Sequence, residues 1–392
     1  MRGLHIGTIA GIPVRLNWTF LVVLPVFAFL IGTDITMLTD LLEETLGRDI
    51  AASTLEGSYR PWLLGLAAAV GLFGGVLLHE LGHSLVALRF GCAIESITLW
   101  LLGGLASFDE MPENWRQEFW IAVAGPVVSV GVGLAFFAAF LAVPSGVNEL
   151  LFVFGYLAVV NVALAAFNML PAFPMDGGRV LRALLARNRS RVRATRLAAG
   201  TGKVFAVGFA IVGVFANLFL VVLAVFVYIA AAGEAKQTVF KAAFDNVTVG
   251  QLMTDREALE TVRPDATVAA LIQRMFAESH TGYPVVGEPG YVGIVTLDAA
   301  TSVPEVEREA YLVEDVMQQD VTAVRPTTGA MTALEAIQQE DTGRLLVVDD
   351  DRLVGLISRA DIMRGFNIIQ SGGQPRSPDE SRRGGPAGEL TN

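Results

Sequence analysis

The sequence WLLGLAAAVGLFGGVLLHELGHSLVAL, residues 62–88, decides the fold because it is a long apolar stretch that contains ionisable side chains. A helix needs about 20 mostly apolar residues to cross roughly 30 Å of hydrocarbon. Trp62–Leu78 is uncharged, and His79, Glu80 and His83 are the ionisable residues in the remainder of the stretch. Ionisable groups within a membrane span are energetically costly, so these three are candidates for a functional site.

Further stretches share this apolar character. Leu16–Gly32, Phe119–Val143, Leu150–Met175 and Val204–Gly233 are uncharged. The last is too long for one helix at about 1.5 Å per residue, so we divide it near Ala216–Asn217. The sequence therefore predicts a polytopic α-helical membrane domain of about six transmembrane helices over residues 1–233.

The composition agrees with this interpretation. Of the 392 residues, 53% are hydrophobic and 17% are charged, against roughly 25% charged in an average soluble domain. This excludes a purely soluble enzyme, a disordered chain and a nucleic-acid binder built on basic patches. The net charge of −11 lies in residues 234–392, since residues 1–233 are neutral overall. Cys92 is the only cysteine in the sequence, so no intrachain disulfide or cysteine-based zinc cluster can form.

Arginines predict the orientation. The loop 179–196 is rich in arginine, whereas 33–60 contains two arginines and 144–149 contains none. By the positive-inside rule we expect the loop 179–196 to be cytoplasmic. Six helices then place both termini in the cytoplasm of a multi-pass cell-membrane protein, whereas five would place the acidic part outside. The arginines of this loop are Arg179, Arg182, Arg187, Arg189, Arg191, Arg193 and Arg196.

The ionisable residues of the stretch 62–88 form the pattern H-E-x-x-H. His79 and His83 are four residues apart and lie on one helical face, so both imidazoles can bind one metal ion. Glu80 lies beside them, as in the zinc metalloprotease motif, where it can reach a metal-bound water. The alternative is a chance match, which would leave three costly polar groups in an apolar run.

A catalytic zinc takes three protein ligands, and Asp176 is the candidate for the third. It follows an irregular sequence, NMLPAFPMDGG at 168–178, in which two prolines break the helix. Irregular backbone at membrane depth is tolerated only where it lines a cavity, so this segment predicts a cavity with Asp176 on its rim. The alternative is that Asp176 caps a helix that starts near Gly178.

The two motifs together resemble those of the site-2 protease family of intramembrane zinc metalloproteases, over most of residues 1–233. The resemblance implies that His79, His83 and Asp176 bind one zinc ion and that Glu80 is the general base and acid. It also implies a transmembrane protein substrate that is cut within the lipid bilayer, in regulated intramembrane proteolysis. Asn168 would lie near the site and bind substrate or the oxyanion; alternatively, its amide satisfies backbone groups freed by Pro171.

Two further segments bear on this resemblance. Gly125-Pro126 is similar to an A-G-P stretch of the family, but Ser129 stands where many members have asparagine. The stretch Ile94–Ser107 is rich in residues that favour strands, and we interpret it as a hairpin or edge strand that could pair with an extended substrate. The alternative is an amphipathic interfacial segment anchored by Trp100.

The acidic second part contains a repeat with an offset of 62 residues. Val262-Arg263-Pro264 recurs as Val324-Arg325-Pro326, and Gly293-Ile294-Val295 recurs as Gly355-Leu356-Ile357. This resembles a tandem pair of cystathionine-β-synthase (CBS) domains, a soluble α/β module. We expect the first repeat at 244–306, the second at 307–370 and a disordered tail at 371–392.

CBS pairs often bind adenine nucleotides such as AMP or ATP, which implies regulation by a nucleotide. Ser358 and Asp361 match the hydroxyl and the acid of the motif in the second repeat; the first repeat has Thr296 but Ala299 at the acid position. The alternative is a purely structural module, through which two copies of the chain could form a homodimer.

Two other functions compete with a protease. A CBS-gated transporter or channel would scatter ionisable residues through several helices, whereas Phe119–Val143 has none. A zinc-binding pseudoprotease would lack the general base, whereas Glu80 is present.

Overall fold

The computed structural model describes residues 3–57, 59–100, 103–108, 112, 114–288, 290–319, 321–339, 343–350 and 352–371. The chain forms two compact units, Met1–Thr238 and Val239–Asn392. The tail that the sequence predicts to be disordered, 371–392, lies outside the described residues except for Ser371.

The first unit is mainly helical. Helices α4, α5, α6, α8 and α9 are each long and apolar enough to cross a membrane, and the pair α1 and α2, bent by 72°, could supply a sixth span. The prediction of about six apolar helices is therefore confirmed. The helices are α1 (Phe20–Thr33), α2 (Ile35–Leu46), α3 (Ala52–Leu55), α4 (Arg60–Arg89), α5 (Trp115–Ala142), α6 (Asn148–Asn168), α7 (Asp176–Ala186), α8 (Arg191–Ala216) and α9 (Leu218–Ala243).

The helix ends refine the expectations from the sequence. The long apolar stretch Val204–Gly233 breaks at Asn217, where the length argument divides it. The run Leu150–Met175 is helical only as far as Asn168, because the segment with two prolines that follows it is irregular. Helix α9 extends to Ala243, so the residues between the two expected domains are helical.

Small residues let the membrane helices approach closely. Ala68 and Ala69 of α4 are fully buried in a core that also contains Leu42 and Phe152. A Cβ at Gly65 would overlap the backbone carbonyl of Ala28, so α1 and α4 touch backbone to backbone. Such interfaces are typical of membrane helices, whose association depends on close packing because lipid is as apolar as the side chains.

A four-stranded sheet accompanies these helices, in the order β1-β2-β3-β4. Strands β2 and β3 are parallel and the other two pairs are antiparallel. Strands β3 and β4, on either side of residues 101–102, are thus paired antiparallel, and β4 lies at an edge of the sheet, as one of our two interpretations predicted. The strands are β1 (Leu4–Ile9), β2 (Ile12–Leu16), β3 (Ile94–Trp100) and β4 (Gly103–Phe108).

The second unit has the α/β structure that the repeat predicts. Strand β10 lies between β5 and β9 in one sheet, β8 pairs with β9, and β6 pairs with β7. The elements are α10 (Val249–Leu252), β5 (Thr254–Asp255), α11 (Val268–Glu278), β6 (Gly282–Val286), β7 (Tyr291–Thr296), α12 (Leu297–Thr301), α13 (Val313–Val316), β8 (Ala323–Val324), α14 (Ala330–Gln339), β9 (Arg344–Asp349), β10 (Arg352–Ser358) and α15 (Arg359–Gln370).

The opening segments of the two repeats are exchanged. Thr254, in the first repeat, pairs with Leu356 of β10 in the second, and Gln318, in the second, bridges Ile294 in the first. Val249 likewise packs in the core of the second repeat, and Val313 in the core of the first. Each repeat therefore completes the other's core, so the pair folds as one unit.

Candidate metal centre

Three side chains far apart in the sequence meet within the first unit. The Nε2 atoms of His79 and His83 lie 3.1 Å apart, and each lies 3.1 Å from Oδ2 of Asp176. The three residues are 4%, 5% and 8% exposed. Tetrahedral zinc with bonds of about 2.0 Å requires ligand atoms about 3.3 Å apart. The spacing and the donor set of two nitrogens and one oxygen therefore fit zinc.

The remote ring nitrogens support the same conclusion. Nδ1 of His83 lies 2.6 Å from the backbone carbonyl of Ile121, which can only accept a hydrogen bond. His83 therefore carries a proton on Nδ1, which leaves Nε2 as the nitrogen through which it could bind a metal. Nδ1 of His79 lies 2.9 Å from the hydroxyl of Ser129, which can accept in the same way. Hydrogen bonds of this kind orient metal-binding histidines.

One face of α5 makes all these contacts. Ile121, Gly125 and Ser129 follow one another at helical spacing and are buried. A Cβ at Gly125 would overlap Nε2 of His83, so glycine leaves the room that the ligand atoms need. Because α5 carries both hydrogen-bond acceptors and this gap, it sets the orientation of both imidazoles.

Asp176 is brought to the histidines by the irregular segment before it. It is the first residue of α7, whose N-cap is Met175, so the alternative of a capping role does not describe it. A Cβ at Gly177 would overlap the carbonyl oxygens of Met169 and Leu170, and one at Gly178 would lie 2.7 Å from the backbone nitrogen of Phe173. The two glycines therefore allow the chain to fold tightly back and present the carboxylate.

Glu80 lies beside the cluster and against strand β4. A Cβ at Gly104 would overlap Cγ of Glu80 and lie 3.0 Å from its Cδ. The edge strand thus passes within contact distance of the predicted general base.

Asn168 lies at the end of α6, where its amide donates to the carbonyl of Leu164 at 3.0 Å. This bond lies within its own helix and differs from the alternative interpretation, because Pro171 removes the donor to the carbonyl of Phe167 and not to that of Leu164. Its role toward a substrate stays a prediction.

Sequence reasoning missed the parts played by Ser129, Ile121 and Gly125. In the sequence, Ser129 stands out only as a departure from the family pattern. Its position four residues after Gly125, on the same face of α5, is the signal that could have predicted its contact with a histidine. The carbonyl of Ile121 has no signal in the sequence, because any residue type supplies one.

The candidate nucleotide residues of the second unit lie at a helix start. Oδ2 of Asp361 accepts from the backbone nitrogen and the hydroxyl of Ser358, at 3.0 and 2.6 Å, in a capping box for α15. Thr296 caps the short helix α12 in the corresponding place. A cavity of about 360 Å³ adjoins Asp361; residues that line it include Gln251, Thr254, Asp255, Arg364 and Ile368.

Comparison with known proteins identifies relatives of both units. A model of peptidase family M50 matches residues 67–150 and 145–212, and a CBS domain model matches 249–303 and 313–367. A zinc metalloprotease of Methanocaldococcus jannaschii is 33% identical over 302 residues, which cover 76% of this chain and 84% of that one.

A second relative agrees with this result, and one solved structure is similar to part of the chain. Rip3 of Mycobacterium tuberculosis, assigned as a zinc metalloprotease, is 31% identical over 405 residues and 98% of both chains. Among solved structures, the site-2 protease from M. jannaschii is 33% identical and covers 60% of this chain and 95% of that one, with a TM-score of 0.42.

The role of Gly125 leads to a prediction with a matched control on the same helix. Gly125→Ala should abolish stoichiometric zinc binding, because the new methyl group would occupy the space beside Nε2 of His83. Gly131→Ala adds the same methyl group to α5, where it has nothing within 4 Å, and should bind zinc like the wild type. Metal analysis of the purified proteins measures both, and a Gly125→Ala protein with one zinc per chain would contradict the geometry.

Proposed function

The chain belongs to peptidase family M50, the site-2 proteases, and is a membrane zinc metalloprotease with a tandem CBS pair; we propose that it cleaves peptide bonds within the transmembrane segments of other membrane proteins. The observation that carries this proposal is the buried cluster of His79, His83 and Asp176, with Glu80 next to His79 in the sequence. Such a cluster among apolar helices gives hydrolytic chemistry to a site surrounded by lipid.

In this proposal each residue has one task. His79, His83 and Asp176 hold the metal, and Ser129 and the Ile121 carbonyl orient the two imidazoles. Zinc held by these residues would supply Lewis-acid chemistry, which polarises a carbonyl and makes water more acidic. Glu80 accepts the proton of the attacking water and returns it to the leaving amine. Asn168 is the candidate for contact with the substrate or the oxyanion.

The substrate must be extended at the point of cleavage, because a helix hides its carbonyl groups in its own hydrogen bonds. Strand β4 is at an edge of its sheet, and within the described part of the chain no further strand pairs with its outer side. Gly104 of this strand packs against Glu80. We therefore propose that an unwound substrate segment adds to β4 as a further strand, which would present its backbone beside the general base.

The competing functions have less support. A transporter needs a path of polar groups through the membrane, whereas His79, His83 and Asp176 converge on one point. A pseudoprotease would keep the ligands without the base, and Glu80 is present next to His79 in the sequence.

Substitutions separate the base from the ligands. Glu80→Gln should lower cleavage at least about 100-fold and keep one zinc per chain, because Glu80 moves protons and does not hold the metal. Asp176→Ala should lose both zinc and cleavage. The assay compares the peptides released from a panel of single-span membrane proteins in proteoliposomes with the metal content of each variant.

The control for Glu80 is Glu95→Gln, because Glu95 is an exposed residue of the neighbouring strand β3. It should cleave like the wild type. Stoichiometric zinc in Asp176→Ala would show that the third ligand is misassigned, and undiminished cleavage by Glu80→Gln would contradict its role.

We propose that the protein lies in the cell membrane with both termini and the arginine-rich loop 179–196 in the cytoplasm. Arg187, Arg189, Arg193 and Arg196 of this loop are exposed, as expected for side chains that face the cytoplasm rather than lipid. Helices α8 and α9 on either side of Asn217 return the chain to the side of that loop.

Labelling of single cysteines tests this topology in a Cys92→Ala background. Glu56→Cys should react with a membrane-impermeant thiol reagent on intact cells, whereas Arg189→Cys and Ser371→Cys should react only after permeabilisation. Labelling of Ser371→Cys on intact cells would place the C-terminus outside and contradict six crossings.

We propose that the CBS pair binds an adenine nucleotide and thereby regulates the protease. The cavity beside Asp361 has polar groups from both repeats, because the opening segment of the first repeat is exchanged onto the second. The start of α15 offers backbone N–H groups that favour a phosphate, and Asp361 could bind ribose hydroxyls. A homodimer through the same module stays a prediction.

Nucleotide binding is measured by calorimetry on the full chain with ATP and AMP, in dilute buffer and in molar salt that screens the net negative charge of this part. Asp361→Asn keeps an oxygen that can accept the capping bond but removes the charge, and should bind about tenfold more weakly. Asp298→Asn, an exposed residue of α12, should bind like the wild type. Absence of binding in molar salt, with cleavage unchanged by nucleotide, would contradict the proposal.

A further inference from the structure

A buried cluster of charges lies apart from the ligands and is not used by the mechanism above. Arg182 of α7 is 3% exposed and Glu118 of α5 is 2% exposed. Nε of Arg182 donates to Oε1 of Glu118 at 2.5 Å, and its Nη1 donates to Glu234 of α9. Arg191 lies 3.8 Å from the other oxygen of Glu118. Two guanidinium groups thus face two carboxylates, and the cluster has no net charge.

The cluster holds the helix that carries the third ligand. Asp176 is the first residue of α7, and Arg182 follows on the same short helix. The guanidinium of Arg182 also lies over the ring of Phe173, 5.1 Å from its centroid, in the irregular segment just before Asp176. Arg182 therefore fixes the chain on both sides of the ligand. The bonds to Glu118 and Glu234 tie this part of the chain to two long helices.

The same face of α5 serves all three ligands. Gly125 and Ser129 follow Glu118 at offsets of seven and eleven residues, so the three lie on one side of the helix. Ser129 contacts His79, Gly125 faces His83, and Glu118 holds the helix of Asp176 through Arg182. A displacement of α7 relative to this face would move Asp176 away from atoms that α5 keeps in place.

We propose that Arg182 and Glu118 are positioning residues for zinc: their ion pair fixes the depth and rotation of α7, so that Oδ2 of Asp176 lies 3.1 Å from Nε2 of both histidines. Glu234 extends the same restraint to α9, the helix from which the chain continues into the CBS pair. The proposal rests on the zinc site proposed above. Outer groups that orient metal ligands typically contribute 10- to 100-fold to metal affinity, and we expect that range here.

The experiment measures zinc release from the purified full-length protein to a chromophoric chelator, together with the thermal unfolding of the metal-free protein. Arg182→Gln should release zinc at least about tenfold faster than the wild type. Arg182→Lys keeps a cation but cannot make both side-chain bonds in the same geometry, so its rate should be intermediate. Glu118→Gln with Arg182→Gln should be no faster than Arg182→Gln alone, because both act through one contact.

Arg48→Gln is the matched control, because it removes an arginine that stabilises α5 without contact to the metal ligands. Arg48 holds the other end of α5, where its guanidinium donates to the carbonyls of Phe140 at 2.7 Å and Val143 at 2.9 Å. Loss of these bonds should lower the unfolding temperature and leave the rate of zinc release unchanged. The positioning role therefore predicts faster zinc release from Arg182→Gln than from the wild type. It predicts an unchanged rate from Arg48→Gln, although Arg48→Gln unfolds at a lower temperature.

Two results would overturn the proposal: zinc release from Arg182→Gln at the wild-type rate, or release from Arg48→Gln that is accelerated as much as from Arg182→Gln. If Arg182→Gln does not fold, the rate of zinc release from Arg182→Lys is compared with the rate from Arg48→Gln in the same way. A wild-type protein that binds no zinc would instead contradict the proposed function, so the two failures are distinguishable.

Discussion

Polar and charged side chains among apolar helices must be satisfied by one another, and this constraint organises the first unit. His79, His83 and Asp176 satisfy it at a single point, where their ligand atoms converge. Each is oriented by a different group. The Ser129 hydroxyl orients His79, the Ile121 carbonyl orients His83, and the position of helix α7 orients Asp176. A Cβ at Gly125 would enter the space of the ligand atoms, and one at Gly104 would overlap Glu80. Cβ atoms at Gly177 and Gly178 would overlap the backbone of the irregular segment that presents Asp176. The requirements of this cluster therefore determine the residue types around it more than the packing of the apolar helices does.

The restraint on Asp176 has a different character from that on the histidines. His79 and His83 lie on one continuous helix, so their spacing follows from the helical repeat. Asp176 reaches them from the end of an irregular segment whose conformation local propensity does not determine. Its place depends on tertiary contacts, which include the buried ion pair of Arg182 and Glu118. A buried pair of this kind has little value for stability alone but can specify a unique arrangement.

Much of this architecture can be predicted from the sequence, since apolar length, helical spacing and the offset of the repeat are local or periodic properties. The membrane helices, the two histidines on one helical face and the repeat in the second unit follow from them, and the CBS pair follows from a family resemblance. The hairpin β1–β2 and the exchange of opening segments between the repeats do not, because they depend on pairing between distant residues. Arg182 was grouped with the arginines of its loop by the positive-inside rule, whereas the structure buries it against Glu118. Only the partner across the fold distinguishes it from exposed neighbours such as Arg187.

X-ray absorption at the zinc K edge of the purified wild-type protein tests the central claim most directly. The account predicts one zinc with two imidazole nitrogens and a carboxylate oxygen at about 2.0–2.2 Å, a further light ligand from solvent and no sulfur. A spectrum with a sulfur ligand, which in this sequence only Cys92 could supply as a thiolate, would contradict it. So would a zinc ion with fewer than two imidazoles, because the histidines of α4 would then not be its ligands.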